Sequence, residues 1–504
     1  MARLCRSFCF GFLLSASLLL DQALAASNWP FWSYVTAPFE PPKLNIFTAA
    51  GSTPDPGYFF IGPRADGVNG TAAMIFDQAG NLVYQGPDEV TANVNVQTLF
   101  GKPVLTYWAG TMFSLGYGYG QVHILDDTYK EIYTVSLQVP FVTPNGTTEA
   151  SYIDLHESKI TDRNTMLVTA YNVTQANLTA VGGPADGWML AAHFYEIDIA
   201  TNQVVFSWSA LDHQDQIPLT MSHQAIGTTG QSQSDPWDAY HINSIEAVED
   251  GYLVSLRHLW SGFYLYKNGT VKWQLSGDTG ADFDLGPGCN FSWQHHMRVH
   301  NEQSDGLTLS LFNNAGANPD AQQPPTTGLV LNVDLANMSV TNFRTLVDYG
   351  DPIYSSSQGD TQLLDGTTTG HVFMGYGANP VLREYDSNGY VIQSATWGPN
   401  NAFASYRGFK YEWHATPFWD PAVVVTNSSD GVDVYMSWNG ATDYDTWDVY
   451  GGPTQTRANA SLLTTVPRNG FETKATLTAQ NVSYVQAVAR SGNNVLRASA
   501  AIPL

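Results

Sequence analysis

Cysteine is almost missing from this chain. It has three, and Cys5 and Cys9 fall in the first nine positions, which leaves Cys289 alone in the remaining sequence. A disulfide framework is thereby excluded, and a large apolar core has to hold the fold. Positive charge is also scarce. Against 45 Asp and Glu stand 21 Lys and Arg, a net charge of −24, so the surface as a whole repels nucleic acid and anionic membrane. An anionic small molecule would need a local cluster of donors to bind. Beyond the N-terminus no stretch approaches 18 apolar residues, and no run carries a convincing helical period. Nucleotide-binding glycine loops and the Gly-x-Ser-x-Gly elbow of serine hydrolases are both missing.

Aromatics and glycine are abundant: 26 Tyr, 24 Phe, 14 Trp and 44 Gly, with 13% charged residues. That mixture suits short strands and tight turns. Residues 1–25 read as a secretory signal. Arg3 and Arg6 precede an apolar run from Phe8 to Leu20, and Ala23-Leu24-Ala25 offers a small-residue cleavage site. The expected location is outside the cell or in the secretory lumen, with no membrane attachment after cleavage. Ten Asn-x-Ser/Thr sequons fit that route: Asn69, Asn145, Asn172, Asn177, Asn268, Asn290, Asn337, Asn427, Asn459 and Asn481.

From Pro56 onward, five- to eight-residue alternating runs recur between Gly, Asn and Asp turns. Residues 238–277 form the clearest unit, four strands with an Asn268-Gly269 hairpin signal, in a length that matches one propeller blade. Similar units occupy residues 93–137, 152–208, 292–347 and 356–397, and residues 57–86 supply three strands. The stretch Ser405 to His414 is a spare strand, expected to complete the first unit and close the ring. The expectation is an all-β chain with a six-bladed β-propeller over 26–417. Seven blades or an array of sandwiches are the alternatives. Residues 418–504 read as a small β-sandwich of immunoglobulin or fibronectin III kind.

Aligning the units by first strand places His156, His241 with Asn243, and His295 with Arg298 at one depth, where innermost strands line a channel. Arg257 follows on the second strand of the His241 unit, beside His258. Donors without many carboxylates describe a site for an anionic group. A neutral imidazole is a competent nucleophile, and Arg257, Asn243 and a second imidazole are the groups expected to hold an anion's oxygens. Trp108, Trp237, Trp293 and Tyr376 are candidates to stack on an aromatic ring. His296 should point to the opposite face of the strand from His295.

Five stretches resemble the arylsulfotransferase family, especially its secreted fungal branch: Asp154-Leu155-His156-Glu157, Pro236-Trp237-Asp238 to Ser244, Ser255-Leu256-Arg257-His258, Gln294-His295-x-x-Arg298 and Ser356-x-Gln358-Gly359-Asp360. Ser405-Tyr406-Arg407 and Ser437 to Thr442 extend the likeness. The resemblance implies a six-bladed propeller that moves a sulfuryl group between phenols without a nucleotide donor or other cofactor. It makes His295 the transiently sulfated residue. His156, His241, Asn243 and Arg257 match groups that hold the sulfuryl oxygens or move protons, and Arg298 is expected to contact substrate. After the nucleophile the family pattern continues with an acidic residue, where this chain has His296. Other readings of the channel are a different reaction on an aromatic or polyketide-like metabolite, a metal site, and a non-catalytic binding module. No metal is expected, because no carboxylate-rich ligand set is apparent beside the histidines.

Overall fold

Runs rich in Val, Ile, Tyr and Phe pair most readily as strands when Gly and Asn turns interrupt them every few residues. The computed structural model is all-β accordingly. It describes residues 29–504 except 66–70, 316–323, 401, 430, 456–459 and 479–481. The expected signal segment and the sequons Asn69, Asn459 and Asn481 lie outside the described residues. Four short 3-10 turns are the helical elements among those described, and no helix there is long and apolar enough to cross a membrane.

Six antiparallel sheets of four or five strands occupy the described part of residues 45–411. In chain order their leading strands are Thr91–Leu99, Ser158–Ile160, Ile242–Val248, His295–Gln303, Asp360–Leu363 and Gly408–Tyr411. The last of these pairs with Tyr58–Ile61, with Tyr58 opposite Tyr411, so the C-terminal end of the repeats supplies the missing strand of the first sheet. Contacts run in a cycle through the first or second strand of each sheet and return from Gly408–Tyr411 to Thr91–Leu99. Three outer edges gain an extra strand: Asn45–Thr48 pairs with Val391–Thr396, Gly280–Ala281 pairs with Val271–Ser276, and Asp284–Leu285 lies parallel to Ser339–Leu346.

Several leading strands start later than the hydrophobic alternation suggests. The segment before Ser158 does not join a ladder, because Asp154 engages its backbone and a neighbouring strand. Asp154 accepts the His156 N–H at 3.0 Å and the Gly118 N–H at 2.9 Å. The leading strands also share a distortion. Register shifts fall between Ala92 and Asn95, Ile242 and Ser244, and His295 and Arg298, and left-handed residues Asn93, His241 and His296 lie at or beside them. A bulge bends a strand and re-aims its side chains, and here it does so at the same place in three units.

Beyond Phe418 two further sheets share one apolar cluster. Val434 and Met436 from one meet Trp447, Val449 and Ala487 from the other. This pair is tied to the first repeat sheet by backbone mimicry. Asn439 accepts from the Gln85 N–H at 3.0 Å and donates to the Gln85 carbonyl at 2.9 Å, while the Gly440 N–H reaches Val83 O at 2.7 Å. The outer edge of that sheet is covered.

Candidate active site

Three histidines from three different sheets meet where the leading strands converge. The ring centroids of His156 and His241 are 4.7 Å apart, and those of His241 and His295 are 6.4 Å apart. All three are buried. His156 Nδ1 sits 2.6 Å from Asp154 Oδ2, and His241 Nδ1 sits 2.6 Å from Asp238 Oδ2. A carboxylate that accepts from Nδ1–H leaves Nε2 as the working nitrogen of each ring. Asp154 is itself positioned by Thr169 Oγ1 at 2.8 Å.

His295 is oriented by Asn314, not by a carboxylate. Asn314 Nδ2 donates to the carbonyls of Ser355 and Gln358, both at 3.0 Å, so its Oδ1 must be the acceptor facing His295 Nδ1 at 2.7 Å. The proton on His295 is therefore on Nδ1, and the Nε2 lone pair is available. It accepts the Gln358 N–H at 3.2 Å. Burial, then Arg257 and His241, hold the His295 imidazole well below the usual histidine range. Burial, His156 and Arg257 do the same to His241.

Arg257 lies at the end of the His241 sheet's second strand. Its Nη2 donates to Ser356 O at 3.0 Å and its Nη1 lies 2.8 Å from His258 Nε2. The guanidinium stands over Trp293, 5.0 Å from the ring centroid. Burial lowers it to about 10, opposed by Asp238. Tyr406 lies beside two of these histidines, its ring 5.2 Å from His156 and 6.4 Å from His295.

The remaining expected residues are placed differently. Arg298 does not reach the histidine cluster; its Nη2 pairs with Glu157 at 2.7 Å, and Arg407 takes the other Glu157 oxygen at 2.9 Å. This buried triad, with Arg407 also donating to Asn243 O at 2.9 Å, forms a floor beneath the histidines. Burial would raise the Glu157 carboxyl, but the two guanidiniums hold it at about 2. Asn243 commits its amide nitrogen to Gln294 O at 2.7 Å, so the atom it offers is a carbonyl acceptor with no partner among the described residues. His296 lines a cavity of about 630 Å³ below the floor, with Arg298 and Glu157, and its Nδ1 accepts the Thr361 N–H at 3.3 Å. It does not touch His295 Nδ1, whose partner is Asn314.

Carboxylates do accompany the histidines, contrary to the sequence reading. Asp154 and Asp238 stand two and three residues before their partners, a spacing visible in the sequence but easily passed over among 45 acidic residues. Asp238, His241 and His258 bring possible ligand atoms within 4.8 Å of one another. Their Nδ1 atoms are spent on hydrogen bonds to Asp238, however: His241 to the side chain and His258 to the carbonyl at 2.7 Å. Asn314 carried no local signal, lying just past a strand end in the unit of His295. Trp108, Trp237 and Tyr376 are fully buried core residues, and Trp293 alone of the four stays half-exposed. Cys289 is buried in an apolar cluster, its thiol raised by burial. Asn145, Asn177, Asn268, Asn290, Asn337 and Asn427 are exposed, and Asn172 is half-buried.

The family model described as Arylsulfotransferase (ASST) matches residues 95–398. No curated protein sequence matches the chain. Among solved structures, a functionally unknown protein from Desulfotomaculum acetoxidans DSM 771 is 10% identical, covering 70% of this chain and 99% of that one, with a TM-score of 0.32. The Penicillium chrysogenum α-L-arabinanase complexed with arabinobiose is 10% identical over 70% of this chain and 91% of its own, with a TM-score of 0.33. Sqt1 from Chaetomium thermophilum is 9% identical over 75% and 89%, with a TM-score of 0.30.

Proposed function

Because the chain belongs to the arylsulfotransferase family, we propose that it moves a sulfuryl group from a phenolic sulfate to a second phenol through a sulfo-histidine at His295. The family implies a small aryl substrate. We read the six sheets as the blades of a propeller over 26–417 and the last two as an immunoglobulin- or fibronectin III-like sandwich over 418–504. Secretion and glycosylation, as in the fungal branch, belong to the same proposal.

The observation that carries the reading is the convergence of three imidazoles with assigned tautomers beside Arg257. His295 Nε2 attacks the sulfur, forming the N–S bond as the S–O bond to the phenol breaks. Nδ1 keeps its proton and its bond to Asn314, so the sulfo-imidazole's ring charge is shared with the Asn314 dipole. Arg257 faces the spreading negative charge of the sulfuryl oxygens. Gln358 N–H, which caps the lone pair at rest, is freed by the attack and stays within reach of a sulfuryl oxygen. The departing phenoxide takes its proton from His156. We give that role to His156 because its Nδ1 is held 2.6 Å from Asp154 Oδ2 and its ring meets Tyr406 edge-on. In the second half the acceptor phenol gives its proton to His156, its oxygen attacks sulfur, and the N–S bond breaks.

Incubation of the full chain with 4-nitrophenyl sulfate and a panel of phenols tests this. Wild type should release nitrophenol and carry the mass of SO3 on the His295 peptide, and His295→Ala should do neither. Equal release by the two proteins would end the proposal.

A further inference from the structure

Tyr406 is 1% exposed, and its hydroxyl has no hydrogen-bond partner among the described residues. Buried hydroxyls are seldom left this way, because losing water without gaining a partner is unfavourable. The exception sits in an informative place. The Tyr406 ring meets His156 edge-on at 5.2 Å and His295 at 6.4 Å, and the Arg407 guanidinium stacks over it at 5.2 Å. The backbone around it is fixed: Tyr406 O accepts the Gly359 N–H at 3.0 Å, and Ser405 Oγ donates to Arg407 O at 2.6 Å. The phenol is therefore held rigidly between the proposed nucleophile and the proposed proton donor, with its polar atom unspent.

We infer that Tyr406 is a catalytic hydrogen-bond donor to the bridging oxygen of the aryl sulfate, the atom on which charge collects as the S–O bond breaks. This rests on the sulfuryl-transfer reading above. When sulfur is on the way to His295 Nε2, the leaving oxygen has to lie between that sulfur and the imidazole that protonates it, and Tyr406 touches both rings. No electrons move through the phenol. It keeps its proton, donates a hydrogen bond to the phenoxide oxygen while His156 delivers the proton, and accepts no bond in return. Burial, with Glu157 and Asp154 adding to it against Arg407, raises the hydroxyl far above its ordinary range, which keeps it a donor at any working pH. In the reverse half the same bond orients the acceptor phenol for deprotonation. Other buried atoms near the floor also have no partner among the described residues, Arg257 Nε, Arg407 Nε and the Asn243 carbonyl among them, and the carbonyl can only accept, which gives it no such role on an anion.

The test compares wild type with Tyr406→Phe, using aryl sulfates whose phenols range from strongly activated nitrophenols to unsubstituted phenol. Stoichiometric labelling of wild-type His295 comes first; without it the sulfuryl-transfer reading falls, and the Tyr406 role falls with it. Given labelling, the variant should lose roughly 10²-fold in the labelling rate, the scale of one lost donor to a developing oxyanion. The loss should be steepest for the poorest leaving phenol. Melting temperature should hold or rise, because the hydroxyl removed had no partner. A uniform small loss across all leaving groups, or a marked drop in melting temperature with the rate intact, would make Tyr406 a packing residue and overturn the inference.

Discussion

Asn314 Oδ1 lies 2.7 Å from Nδ1 of His295, and the amide nitrogen of the same side chain holds the carbonyls of Ser355 and Gln358. One residue thus sets the tautomer of His295 and the position of the loop whose N–H covers it. A neutral amide was used where a carboxylate would also have fitted, and the difference is chemical. A carboxylate would stabilise imidazolium and make His295 more basic, whereas an amide fixes direction with little charge.

Removing that anchor should cost rate more than stability. Asn314→Leu leaves His295 free to take either tautomer and is expected to lower kcat by about 10- to 100-fold, the range found when a partner that orients a working histidine is lost. Asn314→Asp should retain more activity at neutral pH, with the acid limb of the rate profile moved upward. The measurement is a pH–rate profile of all three proteins; identical profiles would show that Asn314 does not act on His295.

Arg257 holds both His241 and His295 low, after burial. The groups are deprotonated in the folded site at pH values where free histidine begins to take up protons. Activity should therefore persist below the usual histidine range and fall only at lower pH. Arg257→Gln removes the positive neighbour, so both imidazoles become easier to protonate and the acid limb moves toward neutrality. The maximal rate should fall as well, by roughly 10²-fold. A variant with lower rate but an unmoved limb would contradict the electrostatic account.

Arg298 and Glu157 form a buried ion pair 2.7 Å apart in the floor of the site. A buried charge left with no partner costs about 3–5 kcal/mol, but Arg407 still holds the other Glu157 oxygen at 2.9 Å when Arg298 is lost. Arg298→Met is therefore expected to lower stability by less than about 3 kcal/mol while the KM for the sulfate donor stays unchanged. Denaturant melts and initial-rate kinetics separate the two effects. A large rise in KM with unchanged stability would return Arg298 to a substrate-binding role.

Asp360 and Glu157 should give stability opposite pH dependences. Burial raises the Asp360 carboxyl to about 8, against the Gly408 N–H and Arg407, which lower it. A raised folded pKa means the folded state holds a proton that the unfolded chain has released. Its contribution is complete below about pH 4 and is lost as pH rises toward 8. Glu157, held at about 2, contributes above about pH 4 and loses that contribution as pH falls toward 2. Asp360→Asn should flatten the decline in melting temperature between about pH 5 and 8 and leave the acid side alone. The same slope in variant and wild type would show that another group titrates.

Strand pairing was largely readable from local pattern. The Asn268-Gly269 turn and its flanking alternation specify a hairpin, and Ser261–Tyr266 pairs with Val271–Ser276 as that pattern requires. The spare strand near residue 408 was legible because a unit at the other end lacked one. Strand starts were less legible, since side-chain carboxylates such as Asp154 compete for the backbone N–H groups that alternation would assign to a ladder. His156, His241 and His295 stood out through their common place in the repeat and Arg257 through its place at the end of the strand beside His241, whereas Arg298 shared the histidines' place and was diverted to Glu157.

The sequence by itself determined an all-β chain, its repeating units and the residue types available for chemistry, because turn and strand preferences act over a few residues. It also marked which segments resemble the family. Tertiary structure decided which atoms work. The tautomer of His295 depends on an asparagine nineteen positions away, the lowered proton affinity of its imidazole on burial and an arginine from another sheet, and the fate of Arg298 on a glutamate from a third. Hydrogen-bond direction and burial are properties of how separate segments converge, and no local pattern contains them.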